Sequence, residues 1–201
     1  MLGRGGPLLH GQTGQFAGTF SGMTQASSIP AFFVYGEPSR ALDVGFVHVE
    51  TVMERKSVHF GHVAPHQHPQ MGQITYWFEG RGTYRIEDET WNFSAPTISF
   101  VPSSVVHGFE VEDGTDAFVI SISDDLLRTL EPAVDLDLTK PCLIGGTAAD
   151  PLWIRLNALI SMVADEYKGS ARASPRLISG LIGVVLSQIG NLGGHQNMEE
   201  M

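Results

Sequence analysis

The segment from Phe46 to Ile122 most constrains the fold, because it is a run of short alternating apolar and polar stretches without helical periodicity. The stretches are rich in β-branched and aromatic residues: FVHVETV, SVHFGHV, QITYWFEG, GTYRIED, TWNFSA, TISFVP, VHGFEVE and AFVISIS. Turn-forming residues separate them, and the sequence EGRG between two of them predicts a hairpin turn. Because no helical pattern lies between these strands, the sequence predicts an antiparallel sandwich or barrel, a mainly β fold.

Helical patterns begin after this segment. Ser123 precedes two acids, which predicts an N-cap and a short helix. Asp150 and Ser174 are each followed by proline, a start signal that predicts helices over 151–169 and 175–190. The second helix is apolar over most of its circumference, so it must be buried on more than one side. We expect the two helices to form a homodimer, and packing within one chain is the alternative.

Composition excludes several classes of protein. The chain carries 22 acidic and 12 basic residues, a formal net charge of −10, so we expect these residues to make no direct contact with nucleic acid. The single cysteine, Cys142, excludes an internal disulfide framework and a multi-cysteine zinc site. We find no stretch of roughly eighteen apolar residues and no convincing signal peptide, so we expect no membrane association and a cytoplasmic protein.

Changes in composition divide the chain into four parts. Residues 1–28 are rich in Gly, Ser, Thr and Gln and predict a disordered tail. Residues 29–130 form the predicted barrel domain, in which the aromatic run between two prolines at its start is expected to lie as an arm on the body. A linker and the two helices occupy 131–192, and 193–201 is expected to be a flexible tail.

Histidines in the barrel segment form a candidate metal site. His66 and His68 are two residues apart, so on a strand they point to the same face. Gln73 begins the next strand and His107 lies on a later one. Three imidazoles and one amide oxygen could together hold Fe²⁺, Zn²⁺, Ni²⁺ or Mn²⁺. The remaining strand histidines, such as His59, are expected to have no special role.

The spacing of these residues resembles the first motif of the cupin fold, in which a glycine, a His-x-His pair, an acid and a second glycine follow one another. Gly61, His66, His68, Gln73 and Gly80 repeat that order, with one residue fewer before the histidines. Gln73 stands where metal-binding cupins usually have glutamate. Three imidazoles and an amide give a cation no formal negative charge and leave oxygen chemistry without a general base. The amide offers instead a donor and an acceptor to an organic ligand.

The second cupin motif consists of a proline, a glycine two residues later and then a histidine. Pro102 and His107 match it, and Ser104 replaces the glycine. The resemblance implies a cupin jelly-roll barrel, the double-stranded β-helix, followed here by two C-terminal helices.

A narrower resemblance spans about residues 29–190. The Tyr-Gly-Glu sequence at 35–37, Phe46 to Glu50, the His-x-His pair and Val106 to Phe109 resemble the N-terminal domain of AraC-type transcriptional regulators, closest to those that respond to hydroxybenzoate or hydroxyphenylacetate. The resemblance implies an effector-sensing and dimerisation module that binds a small aromatic acid in the barrel. We expect no DNA-binding half within these 201 residues, either in a stand-alone sensor or in a shortened product of a larger gene.

Residues expected to face the barrel interior are the candidate ligand-binding set: His66, His68, Gln73, Thr75, Trp77, Tyr84, Phe100, His107 and Phe109. Four of them, His66, His68, Gln73 and His107, are also the candidate metal ligands, and no catalytic residue is assigned. One alternative is a small metal-dependent cupin enzyme of the dioxygenase or isomerase type that uses this three-histidine and glutamine site. Another is a metal-free barrel whose histidines are satisfied by hydrogen bonds.

Overall fold

Strands dominate the described part of the chain, which comprises residues 29–30, 46–169 and 174–199 of a computed structural model, with side chains described up to residue 194. The strands are β1 (Val47–Thr51), β2 (His62–His66), β3 (Met71–Glu79), β4 (Arg81–Ile86), β5 (Glu89–Ser94), β6 (Thr97–Val101), β7 (His107–Val111), β8 (Asp116–Ser123) and β9 (Cys142–Gly145). The helices are α1 (Lys56–His59), α2 (Asp124–Leu130), α3 (Pro151–Lys168) and α4 (Pro175–Glu199), with a 3-10 turn over Glu131–Ala133. The predicted tail at 1–28 and the predicted arm from residue 31 onward lie outside the described residues.

Two antiparallel sheets form the barrel. One has the strand order β1-β8-β3-β6-β9, and the other has the order β2-β7-β4-β5. The first eight strands are therefore arranged as a jelly roll, in which the first and eighth strands pair at one side and strands from distant parts of the chain alternate. This arrangement, with α3 and α4 after it, confirms the predicted cupin-type β fold with C-terminal helices.

The five-stranded sheet is buried on both faces. In the pairing of β3 with β6, Ile74 lies opposite Phe100 and Thr75 opposite Ser99, so alternate pairs point to opposite faces. One face packs against α3 and α4 in what we call the helix-side core, which includes Ile74, Phe100, Ile120, Leu156, Ile182 and Leu186. The other face points into the barrel and forms the barrel core with the second sheet, which includes Trp77, Tyr84, Ile86, Phe93, Val101 and Ala117.

The predicted hairpin at EGRG is wrong. β3 and β4 lie in different sheets, so the residues between them carry the chain from one sheet to the other. Gly80 has φ of 82°, and a Cβ at this position would overlap Thr115. The Thr115 hydroxyl accepts a hydrogen bond from Arg81 N (3.1 Å) and donates one to Arg81 O (2.9 Å). The sequence correctly predicted a change of chain direction at this glycine. It did not predict which strands pair, because Thr115, more than thirty positions away, fixes the crossing between the sheets.

The stretch predicted as the strand SVHFGHV begins as a helical turn. Residues Lys56–His59 form α1, and Phe60 and Gly61 then adopt left-handed conformations with φ of 51° and 81°. β2 starts only at His62, so His59 lies on α1 and not on a strand. Two successive left-handed residues reverse the chain direction, which an alternating apolar pattern does not reveal.

Both predicted helix starts after the barrel are confirmed. Asp150 Oδ1 accepts a hydrogen bond from Leu152 N (2.7 Å), and Ser174 Oγ accepts one from Leu177 N (3.3 Å). Ser123 caps α2 in the same way. The segment predicted as linker contains β9, which pairs with β6 and so extends the barrel sheet. The division of the chain at residue 130 stays a prediction.

α4 is longer than predicted. It reaches Glu199, whereas the sequence predicted an end near Gly190 and a flexible tail from residue 193. A Cβ at Gly190 would overlap the carbonyl oxygen of Asp135, so this glycine allows the loop after α2 to approach the helix. By length and composition, Pro175–Gly194 could also cross a membrane, which the sequence analysis did not expect. Ile182 and Ile189 are fully buried, however, as in the core helix of a folded domain.

Candidate metal centre and ligand cavity

Three buried histidines converge at one point in the barrel. His66 ends β2 and lies opposite His107, which begins β7, while His68 follows β2 by two residues. The potential ligand atoms of these three residues lie within 4.8 Å of one another, and His66 Nε2 is 3.2 Å from His68 Nε2. Each side chain is at most 3% exposed. The predicted histidine cluster is therefore brought together by the fold.

Hydrogen bonds to the backbone orient two of the rings. His66 Nδ1 lies 2.9 Å from Ala64 O, and His107 Nδ1 lies 3.0 Å from Val105 O. A carbonyl oxygen can only accept, so each ring donates its Nδ1–H, and in the neutral ring Nε2 keeps its lone pair. Metal-bound histidines commonly have this arrangement, in which a backbone carbonyl fixes the tautomer and directs the other nitrogen at the metal.

Burial keeps these rings neutral. It lowers the pKa of His66 to about 4, and the neighbouring His68 acts in the same direction. Burial also lowers the pKa of His107 well below its ordinary value, with His66 and His68 adding to the effect. At neutral pH protons therefore do not compete with a metal ion for these two nitrogens.

Gln73 lies beside the histidines at the start of β3. Its Oε1 is 3.2 Å from His107 Nε2, and its Nε2 is 3.4 Å from both His68 Nε2 and Ser121 Oγ. An amide can present its oxygen to a cation or its NH2 group to an acceptor such as an imidazole nitrogen. The four groups thus fit a divalent transition metal, although they bring it no formal negative charge.

Ser104 helps to place the histidines. It has φ of 64°, in the left-handed region, and its N–H donates a 2.9 Å hydrogen bond to the carbonyl oxygen of His68. This bond connects the turn before β7, and hence His107, to the turn after β2. A glycine, as in the cupin motif, adopts such a φ without strain. Ser104 therefore departs from the motif at a position where the backbone conformation favours glycine.

Aromatic rings form the wall of the barrel interior beyond the histidines. Trp77 stacks on Phe93 with ring centroids 4.4 Å apart and meets Phe109 edge-on at 5.0 Å. Tyr84 lies opposite Phe109 in the register of β4 and β7, so both point to the same face. Thr75 shares the inward parity of Trp77 and is buried. These predicted residues are brought into the interior; their role in binding stays a prediction.

Phe100 was placed in the barrel interior by the sequence analysis, and this placement is wrong. It packs in the helix-side core, and a Cβ at Gly72 would lie 3.2 Å from its ring. Its neighbours Ser99 and Val101 have the inward parity instead. The prediction shifted the alternation of β6 by one residue, and such a shift exchanges the residues that face the barrel with those that face the helices.

Several buried polar atoms of the interior have no hydrogen-bond partner within the described part of the chain. They are Trp77 Nε1, Tyr84 Oη and Ser99 Oγ. Burial raises the pKa of Tyr84, so its hydroxyl stays protonated. The hydroxyls of Ser99 and Thr75 lie close enough to Tyr84 to oppose this rise, but the geometry leaves Tyr84 Oη and Ser99 Oγ without a hydrogen bond. Such groups are costly to bury unless a polar partner meets them.

A cavity opens beside the histidines. Its lining is Glu50, Thr51, Val52, Arg55, His59, Val63, His66, Gln73, Phe109 and Val119. About 30 Å³ is open to the centre of a water molecule, which is room for one or two waters and not for an aromatic acid. A larger ligand therefore requires the lining to move. Neither Arg55 nor Glu50 was predicted at this cavity. Arg55 lies in the turn before α1, which follows no strand pattern.

The part of the chain that holds this site is similar to a known type of domain. Residues 51–133 match the model of the AraC-like ligand binding domain. The matched region contains His66, His68, Gln73 and His107, and it runs from the end of β1 past α2. No curated protein matches the sequence.

Several solved structures are similar to part of this chain. A cupin-2 domain containing protein from Shewanella frigidimarina NCIMB 400 is 16% identical, covering 37% of this chain and 66% of that chain, with a TM-score of 0.30. The nucleoside dehydratase Pac13 is 14% identical, covering 41% and 63%, with a TM-score of 0.32. A cupin protein from Bacteroides fragilis is 13% identical, covering 42% and 84%, with a TM-score of 0.30. The chain thus spans less than two thirds of the first two, and likeness at this level says nothing about activity.

Proposed function

We propose that this chain is the effector-sensing and dimerisation module of an AraC-type transcriptional regulator and that it binds a small aromatic acid in the barrel. The match of residues 51–133 to the AraC-like ligand binding domain carries the proposal. Gln73 supports it, because an amide in place of a carboxylate deprives the site of a general base. The proposed location of the protein is the cytoplasm, where such a regulator works.

The barrel interior suits an aromatic ring with polar substituents. Rings such as Trp77 and Phe109 offer apolar walls, while the unpartnered groups of Tyr84 and Ser99 can meet a hydroxyl or carboxyl group. Small-molecule sites generally combine apolar walls with a few such polar groups. Binding would satisfy buried atoms that otherwise lack a partner.

A metal ion would be held by His66, His68 and His107, with Gln73 as a fourth, weaker ligand. Such an ion, Fe²⁺, Zn²⁺, Ni²⁺ or Mn²⁺, supplies a Lewis acid that can bind an oxygen atom of the ligand. The protein's own part is to fix the imidazole tautomers through Ala64 O and Val105 O and to keep the rings neutral by burial.

Apolar side chains on the exposed sides of α3 and α4 support the homodimer. Ile154 and Met162 are two turns apart on α3, and Leu177 and Val184 are two turns apart on α4; all four are about half exposed. Each pair occupies one side of its helix, as expected for surfaces that pack against another helix. We propose that this surface, the α3–α4 patch, joins two copies of the chain.

The binding proposal is tested with the full chain and a panel of hydroxybenzoates and hydroxyphenylacetates. A ligand that binds only the folded state raises the melting temperature with its concentration. Tyr84→Phe should weaken binding by about two- to tenfold, since one neutral hydrogen bond contributes ~0.5–1.5 kcal/mol. Tyr76→Phe, which lies on β3 in the other sheet and packs in the helix-side core, is the matched control and should leave affinity unchanged.

A metal-dependent cupin enzyme is the second candidate, and the buried three-histidine cluster favours it. It would replace the sensor if no acid in the panel shifted the melting temperature while Fe²⁺-loaded protein consumed oxygen with a substrate. Elemental analysis of freshly purified protein would establish whether a transition metal is bound.

A further inference from the structure

Four polar side chains connect the cavity to the end of α3. Arg55 Nε lies 3.5 Å from Glu50 Oε2, and the same carboxylate oxygen lies 3.1 Å from His48 Nε2. His48 Nδ1 is 3.0 Å from the hydroxyl of Tyr167, whose ring meets the imidazole edge-on. Glu50 and Arg55 line the cavity, whereas Tyr167 lies in the last turn of α3. We call this connection the Arg55–Tyr167 chain.

The contacts of this chain converge on Glu50 and His48. A carboxylate only accepts, so His48 donates Nε2–H to Glu50, and its Nδ1 meets the Tyr167 hydroxyl. The arginine adds a charged donor to the same carboxylate oxygen. Glu50 thus contacts both Arg55 and His48, and His48 in turn contacts Tyr167.

Arg55 is placed to meet an anion that enters the cavity. Among the described residues of the cavity lining, it is the sole arginine or lysine, and it shares that lining with His66 and Gln73. Its side chain is 26% exposed and that of Glu50 is 14% exposed, so the pair is partly shielded from water. Guanidinium groups bind carboxylates in a two-pronged geometry, and the 3.5 Å contact with Glu50 is longer than such a bond requires. A ligand carboxylate can therefore compete with Glu50.

The far end of the chain lies at the junction of α3 and α4. Lys168 Nζ lies 2.6 Å from Glu54 Oε1 on the barrel rim, and Glu166 Oε1 accepts a 2.8 Å hydrogen bond from Ser174 N at the start of α4. Three successive residues of α3, from Glu166 to Lys168, thus bind His48, the rim and α4. Tyr167 therefore lies between the two residues that connect α3 to the barrel rim and to the start of α4.

We propose that Arg55 selects an anionic ligand for the cavity, and that its exchange of Glu50 for the ligand carboxylate is transmitted through His48 to Tyr167 at the end of α3. This inference rests on the proposed sensing function and adds the residue that recognises the acid group. It also gives a route by which binding in the barrel reaches the helices.

The recognition step is tested by calorimetry with 4-hydroxybenzoate and its neutral analogue 4-hydroxybenzamide. The unmodified chain should prefer the acid. Arg55→Gln should weaken acid binding by about 10- to 100-fold, the range for losing a hydrogen bond between charged groups, and leave amide binding unchanged. Arg55→Lys should restore part of the preference, and Arg85→Gln, an exposed arginine of β4, is the matched control. An Arg55→Gln protein that keeps the full preference for the acid would overturn the assignment.

The transmission step is tested by hydrogen exchange of the backbone amides at 165–169. Acid binding should accelerate exchange there in the unmodified chain. In Tyr167→Phe exchange should be fast without ligand and insensitive to it, while acid affinity is retained. Identical exchange in Tyr167→Phe and the unmodified chain, with and without acid, would refute the route.

A ligand-free comparison separates this inference from the proposed function. Glu50→Gln should accelerate exchange at 165–169, whereas Glu89→Gln, an exposed acid on β5 in the other sheet, should not. If neither the acid nor the amide binds the unmodified chain, the sensing function fails, and this comparison still decides whether the Arg55–Tyr167 chain couples the cavity to α3. Equal exchange in the two variants would mean that it does not.

Discussion

Gln73 shows how one side chain limits the chemistry of an otherwise complete metal site. The three histidines are buried and converge, and backbone carbonyls direct two of them, His66 and His107, so they meet the requirements of a metal ligand set. The amide adds an oxygen without a charge. Metal affinity and general-base capacity are both lowered by this one position, while the capacity to hydrogen-bond an organic ligand is raised.

Replacing Gln73 by glutamate should therefore increase affinity for Zn²⁺ or Ni²⁺ by about ten- to a hundredfold. Unit charges 4 Å apart attract by roughly 4 kcal/mol at an effective dielectric constant of 20, and desolvation of the buried carboxylate takes up part of this. Competition with a chelating dye measures the change. Gln70→Glu adds the same charge at an exposed turn, and equal affinities in the two variants would contradict the expectation.

His59 should make stability depend on pH. It is buried on α1; its Nδ1 accepts the Gly61 N–H (3.0 Å) and its Nε2 donates to Val52 O (3.1 Å), so the neutral ring is satisfied. Burial holds the pKa of His59 below its usual value of 6.5. Below about pH 6.5 the unfolded chain takes up a proton that the folded chain resists, so stability is full above this pH and falls as pH decreases.

The test compares denaturant unfolding at pH 7.5 and pH 5.5. Glutamine can make both hydrogen bonds without titrating, so the loss of stability on acidification should be smaller in His59→Gln. The histidines of the metal site titrate in both proteins and cancel in the comparison. Equal losses would show that His59 does not contribute.

At the scale of elements, α4 shows that packing requires glycine at one position of a helix and not at another. Gly190 faces the backbone of Asp135, where a Cβ cannot fit, whereas Gly194 has open space around it. Gly190→Ala should destabilise the fold by about 1–2 kcal/mol, because an overpacking cost of ~1–3 kcal/mol exceeds a helix propensity gain of at most ~1 kcal/mol. Gly194→Ala should be neutral or stabilising by up to about 1 kcal/mol. Chemical denaturation of both variants checks the difference, and similar values would mean that the loop does not constrain the helix.

Strands were predictable from the sequence because alternation and turn residues act over a few positions. Each of the eight barrel strands overlaps a predicted stretch, although β2 shares only His62 and Val63 with its stretch, and the caps at Asp150 and Ser174 were predicted correctly. Pairing was not predictable, since it depends on distant residues: the EGRG turn joins two sheets, and Phe100 points to the helices because β6 has the opposite parity. Arg55 was missed for the same reason, as only the fold brings its turn beside His66 and Gln73.

At the scale of the whole molecule, the α3–α4 patch should control the oligomeric state. Val184→Glu and Ile154→Glu each place a charge on this patch at an exposed position, where substitutions change stability by about 0.5 kcal/mol or less. Both should shift the protein from dimer to monomer in sedimentation equilibrium. Met53→Glu, an exposed apolar position before α1, is the control and should remain dimeric. A monomer before mutation, or a dimer that survives both variants, would remove this surface from the proposal.

The pairing of β1 with β8 has a consequence for how the chain acquires its structure. Val47 lies opposite Ile122 and Thr51 opposite Phe118, so β1 bonds to β8. During synthesis, β1 stays unpaired until about seventy further residues have been made and β8 has left the ribosome. Folds dominated by such distant pairings form slowly, typically in milliseconds to seconds. The half-made barrel, with β1 unpaired, is therefore the species most exposed to chaperones, proteases and aggregation.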